Sequence, residues 1–242
     1  MRIKGQCPVC KSVCHECKRR IEEVQGVLRL ECAYCGAIFF DTDSHPKPTY
    51  DLAYNMYFHR PSDIRKAGIM AEQLTQFIGP PLGKEKFLEV GSGNGLIPFL
   101  MQSMGYDATD LELDDEHAEY ITTHLLIKTH VGQFEKYTSP DKYTLIYASH
   151  VLEHCIDPHT FLTSAMNNLK KGGVLFLDTP DVGFVKQYGT KWKHFRTRHP
   201  FEHVVLFREA TLLYLAKKYN LKVIYSMHAV PFQSIQMAFE KQ

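Results

Sequence analysis

Phe87-Leu88-Glu89-Val90-Gly91-Ser92-Gly93-Asn94-Gly95-Leu96 decides how the rest of the chain is read. An apolar run breaks into alternating glycines and turns apolar again, which predicts a strand, a tight loop and a helix start. Glycine at alternating positions admits backbone conformations closed to other residues and lets a ligand approach the main chain closely. About twenty residues on, Tyr106-Asp107-Ala108-Thr109-Asp110-Leu111-Glu112 reads as a second short strand ending in acids, where a carboxylate meets ribose hydroxyls in nucleotide-binding α/β sheets. The loop lacks the third glycine of a dinucleotide fingerprint and has no Lys-Ser or Lys-Thr pair, so a pyrophosphate ligand is disfavoured.

The 242 residues suffice for one substantial α/β domain with a small appendage, and the composition is that of an ordinary globular protein. A net charge of +1 gives no electrostatic footprint for nucleic acid. Met1-Arg2-Ile3-Lys4-Gly5 lacks the apolar core of a signal peptide, and no run is long enough to span a bilayer, so no membrane partner and a cytoplasmic location are expected.

Six of the seven cysteines fall in the first 35 residues, as Cys7-x-x-Cys10, Cys14-x-x-Cys17 and Cys32-x-x-Cys35. Close thiolate pairs on turns suit tetrahedral zinc, and four ligands close a structural site, so one pair is surplus. Cys32 and Cys35, followed by Gly36, form the surer half. The partner expected here is Cys14 with Cys17, because they directly precede a hairpin, Arg19 to Val24 and Val27 to Glu31, that returns the chain to the second knuckle. Cys7 and Cys10 are the competing pair, and His15 is a weaker candidate.

Pro46 and Pro48 mark a linker, and Ser62 to Ile78 has helical apolar spacing with Ser62 as its cap. Beyond the glycine loop, helices are expected over Leu96 to Met104, Glu116 to His124, Pro158 to Leu169 and Arg208 to Asn220, the last with Leu212, Leu213, Leu215, Ala216 and Tyr219 inward. Strands are expected over Ile127 to Val131, Tyr143 to Ala148, Val174 to Asp178, Leu221 to Met227 and Ser234 to Phe239, with Lys170-Lys171-Gly172-Gly173 as a turn. Asp114 and Asp115 read as charges at a helix N-terminus, beside Asp110. Val182 to His203 is a long irregular segment rich in Trp192, Lys193, His194, Arg196, His199 and His203, and long loops in compact domains are usually functional. Cys155 reads as a small buried filler.

The glycine loop and its acids resemble motifs I and II of the class I S-adenosylmethionine-dependent methyltransferases, whose usual form is an acid followed by Gly-x-Gly-x-Gly. Glu89, Gly91, Gly93 and Gly95 match residue by residue, with Ser92 inside the loop, and Glu112 falls at the ribose-binding acid. Val151-Leu152-Glu153-His154 with Asp157-Pro158 is similar to the signature of the methyltransferase-23-like small-molecule group, and a zinc ribbon, Tyr50-Asp51, Tyr57-Phe58 and a helix ahead of the loop match its layout. The resemblance implies an α/β fold with a Rossmann-like, seven-stranded, doubly wound sheet ending in an antiparallel hairpin and carrying a small N-terminal zinc-ribbon domain. It implies a ribbon over 1–42, a linker and cofactor-covering helical segment over 43–80 and a methyltransferase domain over 81–242. It also implies that Tyr57 and Arg60 cover the methionine end of S-adenosylmethionine, that Gln133 and Phe134 meet the adenine, and that Ser149 lies at the cofactor edge of the sheet.

His150-x-x-Glu153-His154 has two readings. Relatives with Glu-x-x-Glu-His here hold a divalent cation, so His150, Glu153 and His154 are candidates for a second metal. Alternatively, Glu153 and His154 form a hydrogen-bonded pair with His154 close to the reaction. The general base is expected among His154, His194, His199 and His203, since imidazole titrates near neutral pH. O-methylation of a small metabolite or sugar is the first expectation; methylation of RNA held by the ribbon and a non-catalytic cofactor-binding scaffold are the alternatives.

Overall fold

The computed structural model describes residues 6–12, 18–24, 27–41, 60–83, 85–184, 202–229 and 234–242. They divide into two compact units that interleave along the chain: Met1–Thr49 with His150–Phe161 and Leu177–Ala238, and Tyr50–Ser149 with Leu162–Phe176 and Phe239–Gln242. The split expected above, 1–42, 43–80 and 81–242, is contiguous, whereas these units are not. No helix among the described residues is long and apolar enough to cross a membrane.

The second unit is built on β4 (Lys86–Val90), which pairs in parallel with β5 (Asp107–Glu112) on one side and β7 (Tyr143–Ser149) on the other, while β5 pairs in parallel with β6 (Lys128–Val131). These strands belong to a seven-stranded sheet of order β10-β11-β8-β7-β4-β5-β6, with β8 over Leu169–Pro180, β10 over Leu221–Ala229 and β11 over Ser234–Lys241. Central strands buried on both faces need continuous apolar runs, and Phe87, Leu88, Leu145 and Ile146 supply them at full burial. Lys170 to Gly173, expected as a turn, is counted into β8, although Gly172 keeps a turn-like φ of 73°.

Helix α1 (Pro61–Ile78) buries Ala67, Ala71, Leu74 and Ile78, whereas Ile64 and Ile69 are exposed. Ser62 is not its cap. Arg60 occupies that position without a side-chain cap, and Pro61 starts the helix, where its missing N–H costs nothing. Helix α2 (Leu96–Ser103) follows the glycine loop, and α3 (Asp115–His124) is capped by Asp114, whose carboxylate accepts from the Glu116 and His117 amides at 3.1 and 3.0 Å. Helix α4 (Pro158–Asn168) ends on a buried amide. Asn168 Oδ1 accepts from Ser139 N at 2.8 Å, and its Nδ2 donates to the carbonyls of Tyr137 and Ser164 at 3.0 and 2.9 Å.

In the first unit, β1 (Lys18–Val24) and β2 (Val27–Cys32) form the expected hairpin, and β3 (Ile38–Phe40) pairs antiparallel with β2. The sheet is completed from the other end of the chain: β9 (Val205–Leu206) pairs antiparallel with β3, placing Phe39 opposite Val205 and Ile38 opposite Leu206. Helix α5 (Glu209–Lys218) buries Leu212, Leu215 and Ala216 but leaves Leu213 exposed.

Asn168→Ala removes a buried hub and leaves the Ser139 amide and Tyr137 carbonyl short of partners. Its unfolding free energy in urea should fall by about 1–3 kcal/mol for the groups left unsatisfied.

Candidate functional site

The loop between β4 and α2 takes its shape from its three alternating glycines. Gly91, Gly93 and Gly95 all have left-handed backbones, with φ of 70°, 62° and 70°. A Cβ on Gly95 would lie 2.7 Å from Leu125 Cδ1, whereas one on Gly93 would meet nothing within 4 Å, so Gly95 packs the loop on α3 and Gly93 faces open space. Glu112, at the end of the neighbouring strand, accepts from the Gly93 amide at 2.6 Å through Oε1 and from the Leu113 amide at 3.2 Å through Oε2. Two backbone donors thus orient a carboxylate against the loop, and the paired strand ends bring motif glycines and motif acid together as expected.

Glu89 lies directly opposite Asp110 in the β4–β5 register, and Glu112 follows on the same face of β5. All three are buried. Glu89 Oε2, both Asp110 oxygens and the Ser92 hydroxyl are out of contact with water and have no hydrogen-bond partner. Burial pushes the Asp110 carboxyl up to about 8, helped by the Glu112 charge; the Ser92 hydroxyl and amide pull the other way without making a hydrogen bond of good geometry. Burial, with the Asp110 and Glu112 charges, likewise holds Glu89 well above the usual carboxylate range. Asp110 is the acid whose importance the linear pattern understates, because only the strand register puts it against Glu89.

Among the other residues expected at the cofactor, Gln133 is exposed just before a short 3₁₀ turn, Phe134–Lys136, and Phe134 is buried with its carbonyl accepting from Ser164 Oγ at 2.6 Å. Ser149 is the last residue of β7. The Arg60 Nε donates to Asp63 at 2.9 Å on an exposed helix end. Tyr57 lies outside the described residues.

In the first unit, Glu153 has no exposed surface. Its Oε1 accepts from His150 Nδ1 at 3.1 Å and its Oε2 from the Thr179 hydroxyl at 3.0 Å. Desolvation opposes the charge on Glu153, but the His150 bond and the nearby imidazoles outweigh it and leave its carboxyl below the usual range. Desolvation also opposes protonation of His150, and there the Glu153 bond and charge prevail, raising the imidazole; His150 itself is half-exposed and holds a φ of 54°. His154 is different. Burial lowers its pKa, and its Nδ1 donates to the Glu202 carbonyl at 2.9 Å, so the neutral ring carries its lone pair on Nε2. His203 is buried, stands edge-on to His154 at 4.9 Å between ring centres, and brings Nε2 to 3.9 Å from Glu153 Oε1. Among the described residues of this cluster, Glu153, His154 and His203 reach metal-ligand spacing. His150, expected in that group, is instead the partner of Glu153. His194 and His199 lie outside the described residues.

The sulfurs of Cys7, Cys10, Cys32 and Cys35 lie within 4.8 Å of one another, with Cys7 to Cys35 at 3.6 Å and Cys10 to Cys32 at 3.5 Å. Such spacing is too long for disulfides and close to the ~3.8 Å edge of a tetrahedron with zinc–sulfur bonds of ~2.3 Å. The residue after each pair is left-handed, Lys11 at 59° and Gly36 at 75°, and its amide returns to the first cysteine of the pair, Lys11 N to Cys7 O at 3.0 Å and Gly36 N to Cys32 O at 2.9 Å. Hence the clustered pair is the one held above as competitor; Cys14 and Cys17 lie outside the described residues. Crowding holds the Cys7 thiol up at about 12, chiefly through its bond to Cys32, while bonds from Cys35 and Cys7 hold Cys32 low.

Residues 62–226 match a family model described as a methyltransferase domain. The ubiquinone biosynthesis O-methyltransferase of Glaesserella parasuis is 32% identical over 108 residues, covering 39% of this chain and 45% of that protein. Its counterpart in Pelagibacter ubique is 26% identical over 156 residues, covering 59% and 64%. The chain thus spans roughly half the length of the curated relatives it matches. Among solved structures, PH0226 from Pyrococcus horikoshii OT3 superposes with a TM-score of 0.61 at 14% identity over 78% of this chain and 95% of that one. The N-methyltransferase NodS from Bradyrhizobium japonicum WM9, solved with S-adenosyl-L-homocysteine, gives 0.55 at 13% over 78% and 96%. At these identities the structural likeness is one of fold.

Asp110 ionises near its ordinary 3.8 in an unfolded chain and near about 8 in the fold, so between these values the folded protein holds the extra proton. Stability is therefore fully present below the lower value and is lost as pH rises through the upper one, at up to about 1.4 kcal/mol per pH unit. In urea unfolding of the ligand-free chain between about pH 5 and about pH 8, Asp110→Asn should flatten this decline. Parallel pH curves for the two proteins would contradict the assignment.

Proposed function

We propose, from the premise that this chain belongs to the methyltransferase domain family matched over residues 62–226, that it is an S-adenosylmethionine-dependent O-methyltransferase acting on a small metabolite or sugar. The observation that carries the reading is the cradle of Gly91, Gly93 and Gly95 with Glu112 bonded across it. Its groups are backbone amides, a hydroxyl and carboxylates, with no lysine or arginine between Glu89 and Leu96. Such a donor set fits a ligand bearing a ribose, an ammonium and a sulfonium and suits a phosphate poorly. Glu89, Ser92, Gly93 and Glu112 would hold that cofactor, with Gln133 and Phe134 toward its base, and when bound it supplies an electrophilic methyl group. Relatives named as O-methyltransferases support oxygen as the acceptor.

The chain's own task is to hold an acceptor hydroxyl and remove its proton. His154 suits that role: burial keeps the ring neutral, and the Glu202 carbonyl fixes the tautomer that leaves Nε2 basic. His203 confines the ring edge-on, and Glu153 remains ionised beside both as the charge that favours an imidazolium once it forms. His150, its imidazole raised by the Glu153 bond and charge against the cost of desolvation, serves as the partner of that carboxylate rather than as the base. Glu153, His154 and His203 could also face a divalent cation, but both side-chain oxygens of Glu153 already serve His150 and Thr179, which supports proton transfer over a second metal. Zinc we assign a structural role at Cys7, Cys10, Cys32 and Cys35, where four sulfurs at tetrahedral spacing leave no open position.

Metal analysis of the purified chain should then find one zinc. Cys10→Ser and Cys32→Ser should each lose it, while Cys14→Ser and Cys17→Ser retain it; loss in the latter two would transfer the site to the other pair. Incubation with methyl-labelled S-adenosylmethionine and pools of small hydroxylated compounds should yield a labelled ether detectable by mass spectrometry. His154→Ala should bind the cofactor with unchanged heat in calorimetry and form that product about 10²–10⁴-fold more slowly. Product at the wild-type rate would remove His154 from the mechanism.

A further inference from the structure

The cysteine-bearing sheet touches the histidine cluster through its backbone. Phe40 N donates to Val204 O at 3.0 Å, and Val204 N donates to Glu153 O at 2.8 Å, so the residue after His203 is held between β3 and the Glu153 turn. The residue before it is held too, because the Glu202 carbonyl accepts from His154. His203 itself is fixed from β2: Arg29, 1% exposed, donates from Nη2 to the His203 carbonyl at 3.2 Å. Arg29 and Phe40 are direct cross-strand partners, and the guanidinium carbon sits 4.1 Å over the Phe40 ring centre. A planar guanidinium stacked on an aromatic face has its fork of donors oriented in advance, unlike an ammonium on a flexible stem.

We propose that Arg29 is a positioning residue for methyl transfer: stacked on Phe40, it fixes the main chain at His203 and thereby the geometry of the His203–His154 pair. The N-terminal sheet is on this view a working part of the histidine site. The inference rests on the proton-transfer reading above for its effect on turnover, and not for its effect on the imidazoles. A shift of the His203 backbone moves its ring relative to His154, and a displacement of ~1 Å at a catalytic group can cost about a hundredfold in rate.

The test uses the full chain with Arg29→Met, Arg29→Lys and, as a milder change that leaves the cation in place, Phe40→Leu. Imidazole ¹⁵N and ¹H resonances, assigned with His203→Ala and His154→Ala, are read alongside calorimetric binding of S-adenosylmethionine and steady-state turnover. Arg29→Met should move the His203 and His154 resonances and lower kcat by about 10- to 100-fold, with KM for the cofactor unchanged and Arg29→Lys recovering part of the loss. Phe40→Leu should shift the same resonances by less, and it decides the matter if Arg29→Met does not fold. Wild-type imidazole resonances in every variant that folds would overturn the proposal. Shifted resonances with unchanged kcat would leave Arg29 holding the imidazole pair but overturn its role in methyl transfer, whereas a wild-type rate in His154→Ala would defeat the assignment of His154 as base instead.

Discussion

A carboxylate without exposed surface loses its hydration, and that loss amounts to several kcal/mol unless the protein supplies hydrogen bonds and countercharge in its place. Glu153 is such a group, and one unit of the structure converges on it. Its two side-chain oxygens are taken by His150 and Thr179, and its main-chain oxygen by the Val204 amide. These partners come from the end of β7, from β8 and from the approach to β9, stretches separated by tens of residues. Satisfying this buried anion thus draws on stretches far apart in sequence, and the unit that holds them is discontinuous.

The other unit leaves its acids in the opposite condition. Only Glu112 among the three has backbone donors, while Glu89 Oε2 and both Asp110 oxygens are buried without partners. Each unsatisfied buried polar group costs about 1–3 kcal/mol, and native structures contain few. Retained protons relieve part of the repulsion, as the upward shifts of Glu89 and Asp110 express. A saturated carboxylate such as Glu153 fixes geometry. Acids left unsaturated beside a glycine loop are a departure from full satisfaction of the kind expected at functional sites.

What was legible in the sequence was whatever rests on neighbours in the chain. Gly91, Gly93 and Gly95 announce left-handed backbone positions, and Asp114 announces a cap, because each effect acts within a few residues. Helix α1 lies where its apolar spacing puts it, but spacing does not fix its buried face: Ala67 and Ala71 lie inward while Ile64 and Ile69 are exposed, since apolar residues on two faces leave the phase of a 3.6-residue period undetermined. Leu213 failed for the same reason. The resemblance offers His150, Glu153 and His154 as one of two readings, a cation site, whereas the side chains that lie at ligand spacing include His203, brought in from about fifty residues away by strand pairing of which sequence spacing carries no trace. Asp110 was undervalued likewise, its significance resting on a register with Glu89. Among the cysteines, the left-handed Lys11 after Cys10 gives the first pair a knuckle without the glycine that normally advertises one.

The N-terminal sheet shows why a small cysteine-bearing segment need not be an independent appendage. Strands of three and two residues, as β3 and β9 are, have little stability as an isolated pair, yet Ile38, Phe39, Phe40, Val205 and Leu206 are all buried. A segment this size cannot enclose a sufficient core alone. Its apolar residues are completed by the C-terminal stretch, as in the cluster of Ile38, Val182 and Leu206. Polar ties accompany this packing. The exposed Lys11–Asp157 pair contributes little by comparison, about 0–1 kcal/mol, whereas the buried Thr211 hydroxyl on the Cys35 carbonyl at 2.7 Å and His159 Nε2 on the Val9 carbonyl at 2.6 Å satisfy groups that would otherwise be stranded. The segment that folds the cysteines is thus the one that orders the chain from Glu202 to Leu206. A disturbance of that shared core therefore bears on His203, whose carbonyl and both chain neighbours are held by bonds within this unit.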